Sequence, residues 1–124
     1  MRYDKSTGNI ITSKGDFGSG LHFEVNGAET GDKIVFCFGN VYGAKPADKV
    51  YTLDSNFAFD FDFSKQEAQA LAQSAYTVNI PYSVKHYRDG VLPYSVKHYR
   101  DGVLLSTLID AQLIVKGTVM MNGE

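Results

Sequence analysis

Apolar and polar residues alternate along most of this chain with the two-residue period of a strand, in short runs broken by turn residues. Leu21-His22-Phe23-Glu24-Val25 sets Leu, Phe and Val against His and Glu, which predicts a half-buried strand. Ile34-Val35-Phe36-Cys37-Phe38 is apolar throughout and reads as a buried strand, with Cys37 as a small core residue. Phe57, Phe59, Phe61 and Phe63 alternate strictly, so the pleat sends all of them to one face and leaves Asp60 and Asp62 on the other. Further strands are predicted over residues 9–13, 49–53, 76–80 and 113–119, between turns marked by Gly15, Asn26-Gly27, Gly31-Asp32 and Pro46. Only one helix is expected, from Ser64 through Ala72, because Ser64 and Glu67 form a capping box ahead of an alanine-rich run. About seven to nine short strands, one short connecting helix and no βαβ alternation predict an all-β, antiparallel, immunoglobulin-like sandwich. At 124 residues the chain is expected to make a single domain.

One stretch breaks the ordinary texture. Pro-Tyr-Ser-Val-Lys-His-Tyr-Arg-Asp-Gly-Val-Leu occupies residues 81–92 and recurs letter for letter at residues 93–104. Each copy reads as a strand followed by an Asp-Gly turn, Asp89-Gly90 or Asp101-Gly102, the composition that tight primed hairpins require. Two short copies cannot build a repeat fold, which needs at least three units. Three arrangements follow: one copy takes a strand position and the other loops out, both enter the sheet as a meander, or strands are exchanged with a second molecule. Lengthening a loop by so much costs only about 1 kcal/mol, whereas reversing the final strand would forfeit a set of core contacts. That favours the looped copy or the exchange, and Pro81 and Pro93 suit an edge or a bulge.

Composition narrows function mainly by exclusion. Apolar residues make up 44% and charged residues 21%, an ordinary globular balance. A formal charge of −2 argues against nucleic acid as a partner, and no apolar run is long enough to span a membrane. No hydrophobic signal core follows Met1, so the chain is expected to stay in the cytoplasm until assembled. Cys37 is the lone cysteine and has no internal disulfide partner. His22, His86 and His98 lack metal-ligand spacing and read as exposed strand residues, and Asp60 with Asp62 reads as surface charge that discourages edge pairing. No catalytic residue, metal site or cofactor site is expected. Tyr82, Tyr87, Tyr94 and Tyr99 are the candidate interaction surface, because tyrosine supplies stiff amphipathic contact area.

Several local patterns occur in a suggestive order: Ile11-Thr12-Ser13-Lys14-Gly15-Asp16-Phe17, Gly31-Asp32-Lys33-Ile34-Val35-Phe36, Phe61-Asp62-Phe63-Ser64 and Tyr94-Ser95-Val96 before Asp101-Gly102. That order resembles small immunoglobulin-like sandwich proteins of phage and prophage structural modules, such as the N-terminal domain of baseplate upper proteins. The resemblance implies a non-enzymatic structural or adaptor module of a tail or baseplate, present in the virion once assembled, with protein partners in a homo-oligomer or a strand-exchanged dimer. The alternative is a small carbohydrate- or ligand-binding module that uses the tyrosines of the doubled hairpin.

Overall fold

The structure is a computed structural model that describes residues 1–18, 20–39, 46–71, 77–88 and 103–116. Its described residues form eight strands and one helix: β1 Arg2–Tyr3, β2 Ile10–Ser13, β3 Leu21–Glu24, β4 Lys33–Phe38, β5 Lys49–Thr52, β6 Ala58–Phe61, α1 Lys65–Leu71, β7 Val78–Arg88 and β8 Val103–Lys116. Six strands make one sheet in the order β1-β2-β8-β7-β4-β5, and β3 pairs with β6 in a second, two-stranded sheet. The fold is mostly β, with the short helix as its only helical element among the described residues.

The two sheets meet through aromatic rings. Phe36 of β4 is fully buried and stacks on Phe61 of β6 at 4.4 Å between centroids, with Phe23, Tyr51, Phe59 and Tyr82 at 5.8–6.2 Å around it. Ile34, Phe38, Ile80, Tyr82, Val84, Leu113 and Val115 extend this core along the larger sheet. Burying side chains of this size contributes about 1.5–3 kcal/mol each, so this aromatic seam is the main force joining the layers.

The alternating phenylalanines are only partly a strand. Phe61 and Phe63 are buried and Phe59 packs against the core, but β6 begins at Ala58. Phe57 has φ 54°, at the end of a turn in which its amide donates to the Asp54 carbonyl at 3.1 Å. A left-handed residue cannot continue the pleat, so Phe57 leaves the row.

The expectation of a wholly antiparallel arrangement fails at one pairing. β2 runs parallel to the last four residues of β8, from Ile10↔Leu113 to Ser13↔Lys116, and the sheet is therefore mixed. The helix forms where its capping box predicts: the Glu67 amide donates to Ser64 Oγ at 3.1 Å and the Ser64 amide to Glu67 Oε1 at 2.9 Å. Lys49 of β5 donates to the same carboxylate at 2.9 Å and ties the helix to the sheet edge. The helix ends at Leu71, and Ala72 lies outside the described residues.

The first dodecapeptide copy supplies residues 81–88 of β7, an interior strand between β4 and β8. Pro81 was expected to mark an edge or a bulge, yet it lies inside β7. It is tolerated because β4 has just ended: the Gly39 amide donates to the Pro81 carbonyl at 2.7 Å, and the donor that proline lacks falls opposite Gly39, one residue past β4. The second copy contributes Val103 and Leu104 to the start of β8, while Asp89-Gly90, Pro93 and Asp101-Gly102 lie outside the described residues.

Candidate interaction surface

Two of the four candidate tyrosines, Tyr82 and Tyr87, lie among the described residues. Tyr82 is 2% exposed and stands in the core row of β7, its hydroxyl donating to the Gly8 carbonyl. The cause is register: Ile80, Tyr82, Val84 and His86 share one face of an interior strand, and that face packs on the aromatic core. Tyr87 is half-buried, paired with Lys33 on one side and Leu104 on the other. Tyr94 and Tyr99 lie outside the described residues. Tyr82 is thus removed from the candidate set.

His86 also departs from expectation. It is 4% exposed, not an exposed strand residue, and its Nε2 lies 2.7 Å from Asp32 Oδ2. Asp32 is itself buried, and it further accepts from Arg88 Nε at 3.0 Å, Arg88 Nη2 at 2.9 Å and the Glu29 amide at 2.9 Å. Arg88 continues to the Gly27 carbonyl and to Glu29. The Arg88 guanidinium, helped by the Glu29 amide and His86, holds the Asp32 carboxyl well below the usual carboxylate range in spite of its burial. The network locks the Glu29–Asp32 turn onto the end of β7. Its acceptors and donors are spent on one another, so it reads as a clasp.

The feature left open among the described residues lies on β8. This strand is 14 residues long, but β2 covers only residues 113–116. The turn before β2 reaches a little further: the Gln112 amide donates to Asn9 Oδ1 at 2.9 Å, and Gly8 sits against Ala111 and Ile109. Residues 103–108 have β7 on one side and no strand on the other among the described residues. Leu104, Leu105 and Leu108 in this part are 48%, 42% and 45% exposed. The run Val103-Leu104-Leu105-Ser106-Thr107-Leu108-Ile109 holds no charge, so it lacks the commonest device that keeps strand edges apart.

The edge is bent. Pairing jumps from Val84↔Ile109 to Lys85↔Thr107, and from His86↔Ser106 to Tyr87↔Leu104, which makes Leu108 and Leu105 the extra residues of two bulges. Bulges interrupt a flat ladder, so this surface offers apolar side chains more than a straight hydrogen-bonding edge. Leu108 also lines a cavity of about 250 Å³ between the sheets, with Phe23, Val25, Phe36, Phe59 and Val84. That volume falls below the roughly 300–1,000 Å³ usual for small-molecule sites.

The remaining candidates are ordinary surface. His22 lies 2.8 Å from Asp60 and 3.8 Å from Glu24, all three exposed on the two-stranded sheet. Asp62 caps locally, accepting from the Gly18 and Phe63 amides. Asp60 and Asp62 therefore serve different partners and make no shared site. Cys37 is half-buried beside Asp48 and is not a core residue. His98 lies outside the described residues. Among the described residues no three His, Cys, Asp or Glu side chains are placed to hold a metal ion, and no helix is long and apolar enough to cross a membrane. Comparison of the chain with protein-family models, curated proteins and solved structures finds no match.

Proposed function

We propose that this protein is a non-enzymatic assembly module that works through protein–protein contacts along the open part of β8. The observation that carries the reading is the uncharged, bulged stretch with Leu104, Leu105 and Leu108 each more than two-fifths exposed. Three large apolar side chains within five residues of one uncovered strand are costly to leave in water and typify a surface covered in an assembly. The partner is a protein, in the simplest case a second copy, which gives a homo-oligomer or a strand-exchanged dimer.

The order of local motifs, akin to that of phage and prophage structural modules, supports a tail or baseplate setting and an immunoglobulin-like reading of the sandwich. The module would then be cytoplasmic until assembled and part of the virion afterwards. Burial of Tyr82 removes support from the carbohydrate-binding alternative.

Light scattering after gel filtration, over a wide range of concentration, tests the reading. Wild type is expected to self-associate, and Leu105→Lys with Leu108→Lys to remain monomeric at an unchanged urea midpoint. A wild-type protein that stays monomeric throughout would count against assembly by this domain alone.

A further inference from the structure

The berth between β4 and β8 is lined by groups that hold residues 81–88 through particular side chains. Gly8 accepts from Tyr82, the core takes Val84, and Asp32 takes both His86 and Arg88. Residues 93–100 carry the same side chains in the same order: Tyr94, Val96, His98 and Arg100. The described register adds a second fact. Arg88 pairs with Val103, although fourteen residues separate them. Arg↔Val is also the pairing that Arg100 would make with Val103 across the two-residue turn Asp101-Gly102.

We propose that this one berth accepts either copy, so that residues 93–100 of the same chain replace residues 81–88 while β4 and β8 keep their places. Chain closure weighs the two states against each other. Shortening the β7–β8 connection from fourteen residues to two favours the second copy by about twentyfold. Lengthening the α1–β7 connection from six residues to eighteen disfavours it by about fivefold. Upstream, fully buried Ile80 would be exchanged for Leu92, a change of shape at equal size. Partly buried Val78 would become Gly90, which favours the first copy by about tenfold. The opposing factors nearly cancel, and the two arrangements lie within about an order of magnitude of each other.

A buried carboxylate disables one copy at a time. In the Leu105→Lys, Leu108→Lys background, which removes association through β8, Val84→Asp and Val96→Asp should each retain a cooperative urea transition in a monomeric protein, and both together should show none. If Val84→Asp alone abolishes the transition while Val96→Asp behaves as wild type, only the first copy fits the berth and the proposal fails. Loss of folding in both single variants overturns it too, since both copies would then be needed. A Val84→Asp protein that in that background folds only as a dimer in gel filtration also overturns it, by assigning the berth to a second molecule.

Discussion

Asp32 offers a sharp test of the packing argument, because it joins His86 and Arg88 of the clasp and, unlike them, is not repeated by the duplication. Asp32→Ala would strip partners from His86, from two nitrogens of Arg88 and from the Glu29 amide, all within 3.0 Å of its carboxylate. The His86 side chain is 5% exposed and gains almost no water in exchange, while Arg88 at 33% recovers part of its hydration. Removing one partner of a buried charged network costs about 3–5 kcal/mol, a large share of the roughly 5–15 kcal/mol that holds a domain folded. With a urea slope of about 1–3 kcal/mol per molar, the midpoint should fall by about 1–5 M at unchanged slope. Neither His98 nor Arg100 can compensate, since whichever copy fills the berth needs the same carboxylate. The pH dependence carries a defined sign. The folded carboxyl titrates below its unfolded value of about 3.9, so its contribution is complete above that value and disappears as pH falls toward the folded one. The gap in stability between wild type and Asp32→Asn should therefore be constant above about pH 5 and narrow below about pH 4. A loss under about 1 kcal/mol for Asp32→Ala at neutral pH would refute the view that this network secures β7.

Other perturbations read separate links. Ser64→Ala removes the acceptor of the Glu67 amide and should cost about 0.5–2 kcal/mol, measured by urea unfolding with α1 content followed by circular dichroism. Phe36→Ala empties the centre of the aromatic seam and should cost about 3–5 kcal/mol; a cost below 1 kcal/mol would show that the two sheets are held by something else. Deleting residues 81–92 and deleting residues 93–104 give the same polypeptide, in which Arg-Asp-Gly-Val closes directly into a two-residue hairpin. It should melt a few degrees higher than wild type, because about 1.5–2 kcal/mol of closure entropy is returned. Collapse on deletion would mean that the doubled peptide is needed whole.

Little of the candidate surface was read from the sequence, and the misreadings have identifiable causes. Alternation in residues 80–86 already put His86 on the face of Ile80, Tyr82 and Val84. Reading it as exposed gave weight to residue type over phase, and only Asp32, fifty-four positions away, makes a buried histidine acceptable there. Likewise the uncharged run ahead of Asp110 was visible, but whether a neighbouring strand covers it is not a local property. β2 begins at Ile10, opposite Leu113, and runs from there toward the end of β8, so it never reaches Leu104, Leu105 and Leu108.

Local chemistry alone determined the strand identity of Lys33–Phe38, the capping box at Ser64, the turn glycines and the existence of two identical peptides, because each is read from the sequence within a few residues. Only tertiary structure decided which tyrosines are buried, that β2 meets β8 in parallel, and that the first copy becomes an interior strand in the described arrangement. Those outcomes depend on which distant strand lies alongside, and pairing partners far apart in sequence are chosen by the total burial they achieve together.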